Sequence, residues 1–182
     1  EPPDGEGHAL DFALAPDWTV RESNDPPHAM RRSERGQGAM TDGLDTDPRV
    51  LWSEDVLRYR DTDANGHVNN AVFAAFCESG RVQFFATHLT PLLTPDTFFV
   101  IARFVIDYRA ELHYPGRVRT ATWLARTGRT SLGFRHRILT GDVVAGEAES
   151  VCVLLAKDTR RPAPLGAAGE AASRLVVEAP GG

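Results

Sequence analysis

Between residues 60 and 70 the chain reads Arg60-Asp61-Thr62-Asp63-Ala64-Asn65-Gly66-His67-Val68-Asn69-Asn70. Two carboxylates, an imidazole and three amides crowd this stretch, directly before residues of helical periodicity. A helix starting there presents unpaired backbone N–H groups and the positive end of its dipole. A carboxylate beside those donors could act on a carbonyl whose oxygen they hold. The same residue types also serve as ordinary punctuation, since Asp and Asn are favoured caps and Asn65-Gly66 is common turn chemistry. The residues alone leave both readings open.

The elements that must position this segment are legible on either side of it. Val50–Tyr59 reads as a strand, with Leu51, Val56 and Leu57 among polar neighbours. Asn69–Thr87 reads as a helix, because Val72, Phe73, Phe76, Cys77, Phe84 and Phe85 recur at helical spacing and Ala71, Ala74 and Ala75 favour it. Thr90–Pro95 is a loop. Phe98–Tyr108 alternates, placing Phe98, Val100, Ala102, Phe104, Ile106 and Tyr108 on one face. Arg117–Ala125, Thr130–Leu139 and Val143–Lys157 are three further strands joined by short turns, hence antiparallel neighbours. A Phe- and Ala-rich helix needs an apolar sheet face to cover it, and a curved sheet wrapped around that helix is the simplest α+β solution. Residues after Pro162 are rich in Ala, Gly and Pro and are expected to fray.

Composition narrows the class. The 182 residues are 42% apolar and 25% charged, which suits one globular domain. The net charge of -5 is unevenly placed: Arg21, Arg31, Arg32 and Arg35 face eleven acids within residues 1–47. Those residues read as an acidic, disordered leader, with Met40 as a candidate initiation site. Residues 48–163 form the domain, near neutral, and 164–182 a flexible tail. A body without a basic stripe is poor material for binding nucleic acid. No apolar run approaches the roughly 18 residues of a membrane span, and the first residues lack the order of a secretory signal. Cys77 and Cys152 make no disulfide framework, and no Cys/His cluster suggests a metal. The expectation is a cytoplasmic protein without metal or cofactor.

The run Asp61-Thr62-Asp63-Ala64-Asn65-Gly66-His67-Val68-Asn69-Asn70, followed by Phe73, Phe76, Glu78 and Arg81, resembles the start of hot-dog-fold acyl-CoA thioesterases of the 4-hydroxybenzoyl-CoA thioesterase family. The resemblance continues through Val105-Ile106-Asp107-Tyr108, Pro115-Gly116-Arg117-Val118 and Gly128-Arg129-Thr130-Ser131-Leu132-Gly133. It implies a five-stranded antiparallel sheet curved around one long central helix, and hydrolysis of an acyl thioester to a free acid and coenzyme A. Carried over residue by residue, it makes Asp63 the general base or the nucleophile. Asn70 then lies where a backbone N–H polarises the thioester carbonyl. Gly66 lets the backbone pass close to the thioester, and His67 orients Asp63 or the water. The resemblance also gives Val68, Asn69, Thr130, Ser131 and Glu78 as substrate contacts, the last as the helical acid some relatives use. Coenzyme A enters only as part of the substrate, and a homodimer or a homotetramer of dimers is implied.

Several residues carry plainer expectations. Asp61 reads as a turn or cap residue. Glu78 is spaced to pair with Arg81 three positions on. His136 falls on an apolar strand face as a core histidine, His113 beside a Pro-Gly turn as an exposed one, and Cys77 as core. Arg126, Arg129, Arg135 and Arg137 stand as candidates for the coenzyme's phosphates or as a solvated face. An acyl-ACP thioesterase would share every residue named, and a non-hydrolytic acyl-thioester-binding protein is the alternative from another class.

Overall fold

The helical stripe and the alternating strands meet face to face. The computed structural model describes residues 43–178. Met40, the rest of the leader up to residue 42, and residues 179–182 lie outside that range. In chain order come β1 (Leu51–Val56), α1 (Asn70–Phe84), β2 (Thr97–Tyr108), β3 (Arg117–Thr127), β4 (Ser131–Thr140), β5 (Val143–Ala156) and α2 (Ala167–Ser173). The strands form one five-stranded sheet in the order β1-β3-β4-β5-β2, every pairing antiparallel. With α1 packed on its inner face, this is the α+β hot-dog architecture that the sequence resemblance implies. No helix among the described residues is long and apolar enough to cross a membrane.

α1 buries Phe73, Phe76, Cys77, Gly80, Arg81 and Phe84, a stripe at three- and four-residue spacing that faces the sheet. Its path continues through a π turn, Phe85–Leu89, rather than as α-helix to Thr87. There Phe85 stacks on Phe99, ring centroids 4.4 Å apart.

Two apolar clusters fill the space under α1. One gathers Leu57, Val68, Phe73, Phe76, Cys77, Val118 and Ile138; the other gathers Phe84, Leu89, Leu124, Leu132, Phe134 and Leu154. Between them runs a polar row. Thr122 on β3, His136 on β4 and Ser150 on β5 are each buried and hydrogen-bonded in sequence, at 3.0 and 2.9 Å. Arg81 is buried on the helix side of the same level.

Two expectations need correction. β2 does not hold one parity along its length, because a bulge falls between Ile101 and Arg103. Before the bulge Phe99, not Phe98, joins the core; after it Phe104 and Ile106 do, as the alternation predicts. Residues 163–178 are also ordered rather than frayed. α2 buries Ala168 and Ala172, and Leu165 joins the second cluster. Val176 then bridges Leu124 in parallel, and Val177 N–H donates to the Leu124 carbonyl at 2.8 Å. The reason is geometric: β1 covers β3 only as far as the Leu51–Thr122 pair, so the next β3 backbone groups need another partner.

On the outer face, Leu44, Val50 and Val177 cover Ala121 and Trp123, so residues 43–47 also belong to the fold. Farther along that face, Arg135 stands opposite Glu149 and Arg137 opposite Glu147, with ion pairs of 3.1 and 3.0 Å.

Candidate active site

The polar segment folds as a small closed loop between β1 and α1. Asp63 N–H donates to the His67 carbonyl at 2.9 Å, Gly66 N–H to the Asp63 carbonyl at 3.1 Å, and Asn69 N–H to the Asp61 carbonyl at 2.8 Å. Gly66 has φ of +83°, and a Cβ there would meet nothing within 4 Å. Within the chain, therefore, the backbone angle demands glycine. Asp61 is a turn residue, as the sequence suggests: its Oδ2 accepts the Arg58 N–H at 2.7 Å.

Asp63 is fixed from two sides. Oδ1 accepts the Asn65 N–H at 2.8 Å, while Oδ2 lies 3.4 Å from His67 Nδ1. The two side chains are 24% and 27% exposed, so a reactant can reach the pair. His113 approaches His67 edge-on, centroids 6.5 Å apart, with its Nε2 3.4 Å from a Glu111 carboxylate oxygen. Its type and spacing give no sign of that proximity, which depends on how the segment after β2 returns past the loop.

The loop ends at the first turn of α1. Asn69 is its cap, its Oδ1 accepting the Ala71 N–H and its carbonyl the Val72 N–H, both at 2.9 Å. Among the described residues the Asn70 N–H donates to no protein acceptor, and Asn70 is exposed. Ionisable carboxylate, imidazole and an uncommitted helix N–H thus share one loop, an arrangement suited to acyl transfer. Tyr108, which sequence reasoning leaves as a strand residue, reaches the same turn: its hydroxyl donates to the Asn70 carbonyl at 3.1 Å.

Other candidates separate from this corner. Val68 is 2% exposed in the first core cluster, and its N–H is taken by the Leu112 carbonyl, so its side chain serves packing rather than substrate. Glu78 is exposed on α1, eight residues or about 12 Å of helix beyond Asn70. The expected Glu78–Arg81 pair does not form, because Arg81 turns into the sheet-facing stripe. Thr130 and Ser131 lie beside Leu132, which packs with Phe84 at the other end of α1, so one chain does not bring them to Asp63. Arg135 and Arg137 belong to the outer-face ion pairs, and the Arg126 side chain lies against Gly133 near Glu149. Arg129 is exposed at the β3–β4 turn.

Burial settles the chemistry of the remaining groups. It pushes the Cys77 thiol up to about 12 and the Cys152 thiol up to about 11, against nucleophilic use. Burial first, and the Arg81 charge second, push His136 down to about 3, a neutral core histidine. Among the described residues, no three His, Cys, Asp or Glu side chains gather as a metal site.

Comparison with known proteins bears on the family and the fold. Residues 57–171 match the family described as the Thioesterase-like superfamily. The acyl-CoA thioester hydrolase YbgC of Escherichia coli O157:H7 is 30% identical over 99 residues, 52% of this chain and 74% of that protein. A predicted thioesterase from Bacillus stearothermophilus superposes with a TM-score of 0.65 at 30% identity, over 71% of this chain and 98% of that one. A Thermus thermophilus thioesterase solved with coenzyme A and zinc gives 0.60 at 32% identity, over 70% and 93% of the two chains.

Proposed function

The chain belongs to the Thioesterase-like superfamily, and on that footing we propose that it hydrolyses acyl-CoA thioesters to a free acid and coenzyme A. The observation that carries the reading is the Asp63 loop: one carboxylate oxygen tethered to Asn65, the other beside His67, and the free Asn70 N–H where the loop becomes helix. Asp63 takes a proton from water as the water oxygen bonds to the thioester carbon. The carbonyl oxygen becomes an oxyanion held by the Asn70 N–H and the helix dipole. Collapse breaks the carbon–sulfur bond, and the departing thiolate takes back the proton from Asp63. His67 orients the carboxylate throughout.

Direct attack by Asp63 is the other route open to this geometry. It forms a mixed anhydride that water then cleaves, and single-turnover hydrolysis in ¹⁸O-water distinguishes it by labelling Asp63. A relative named an acyl-CoA thioester hydrolase and a neighbour solved with coenzyme A support the choice of carrier. Matched acyl-CoA and acyl-ACP substrates test it by their relative kcat/KM. In this reading the enzyme is a cytoplasmic homodimer or tetramer of dimers. A second copy brings Thr130 and Ser131 toward Asp63, and β2, a sheet edge, is available for that assembly. The reaction draws on the chain's own groups without a metal or cofactor.

The Asp63→Asn protein should bind acyl-CoA with unchanged affinity and lose about 10²–10⁴-fold in kcat. Thiol release measured with a disulfide reagent checks this, and undiminished turnover refutes the assignment.

A further inference from the structure

Tyr108 is the last residue of β2, and the Ala102 bulge gives it the parity of Phe104 and Ile106, toward α1. Its ring meets Phe73 edge to face, centroids 5.1 Å apart. Directly opposite in the β2–β5 register is Gly146, which faces the same Phe73 ring. Phe73 packs against this Tyr108–Gly146 pair, and the first turn of α1 comes within reach of the Tyr108 hydroxyl. That hydroxyl donates to the Asn70 carbonyl at 3.1 Å. The peptide between Asn70 and Ala71 is therefore held at both of its polar groups, its N–H by Asn69 Oδ1 and its carbonyl by Tyr108. The preceding peptide is held through the Asn69 carbonyl, which accepts the Val72 N–H, and its Asn70 N–H meets no protein acceptor among the described residues.

We propose that Tyr108 is a positioning residue for thioester hydrolysis, acting through Asn70 to aim its N–H at the oxyanion. The proposal rests on the functional reading above. Stability gives little reason for the bond: the Tyr108 side chain is about half exposed, and its ring packing on Phe73 needs no hydroxyl. An oxyanion donor, by contrast, acts only when its direction is set before the reaction, and small misplacements cost rate steeply.

The test is Tyr108→Phe, which keeps the ring and deletes the bond. We expect kcat to fall about tenfold with KM for acyl-CoA and the thermal midpoint unchanged, since the lost interaction matters only as the oxyanion forms. Unchanged kcat overturns the proposal. A raised KM at constant kcat overturns it equally, because it would mean that Tyr108 touches the substrate. Asp63→Asn assayed alongside separates the two levels. If Asp63→Asn is inert and Tyr108→Phe fully active, only the role of Tyr108 fails. If Asp63→Asn retains full activity, the active-site reading fails first.

Discussion

Replacing His136 by leucine should change how the protein responds to acid, by an amount the structure fixes. The imidazole is enclosed, with Nδ1 3.0 Å from Thr122 Oγ1 and Nε2 2.9 Å from Ser150 Oγ. Burial, aided by the Arg81 charge, holds its pKa at about 3 against an ordinary 6.5. In the unfolded chain the ring protonates as pH falls through that ordinary value; in the folded chain it stays neutral. The unfolded state thus gains a proton that the folded state refuses, and stability is lost from about pH 6.5 downward. The loss is ~1.4 kcal/mol per pH unit, or ~2 kcal/mol between about pH 6.5 and pH 5. Urea midpoints between about pH 7 and pH 5 measure it. His136→Leu should be weaker at neutral pH by ~1–3 kcal/mol, since two buried hydroxyls lose a partner. Its midpoint should nevertheless fall less steeply with acid, by about one proton's worth. Every other titratable group is common to the two proteins, so the difference between their slopes isolates position 136. Parallel slopes for the two proteins would refute the argument, showing that the ring protonates in place.

Two further outcomes follow from the packing. A Cβ on Gly80 would lie 2.9 Å from Thr122 Cβ and closer still to its hydroxyl, so Gly80→Ala should lower the urea midpoint. The overpacking strain, ~1–3 kcal/mol, exceeds the ~1 kcal/mol that alanine returns to a helix; a raised midpoint would contradict this. Val177→Asp should cost ~2 kcal/mol, because Val177 is 5% exposed against Trp123 and Ala121. An unchanged midpoint would mean that the segment is not part of the cooperative fold.

The sequence carries the strand–helix–four-strand order because its apolar residues repeat at the periods those elements require. The turn chemistry around Asn65-Gly66 likewise marks the loop that holds Asp63. What escapes it has definite causes. Phe98 and Phe99 are both aromatic, so alternation cannot reveal the bulge that turns Phe99 inward. Small residues let α2 pack closely while adding little apolar signal, so composition reads Ala167–Ser173 as a loose tail. Arg81 reads as a surface partner for Glu78 from spacing alone, yet its position places it in the core stripe. Tyr108 and His113 join the Asp63 corner through chain reversals that no local pattern encodes.

Leu44 and Val177 join one apolar cluster from opposite ends of the described chain, and Arg49 donates to the Val176 carbonyl at 2.7 Å, closing a loop that contains every strand. A closure of such long separation is entropically late in folding, and few groups hold it compared with the interior strands. It is therefore the natural first place for local opening, which amide exchange at Val177 would register ahead of β4. Release there would bare the Leu124 backbone alongside β1 and uncover Trp123. An exposed strand edge beside an indole invites a foreign strand. The short Val176–Val177 bridge, while closed, keeps that edge paired and the indole covered.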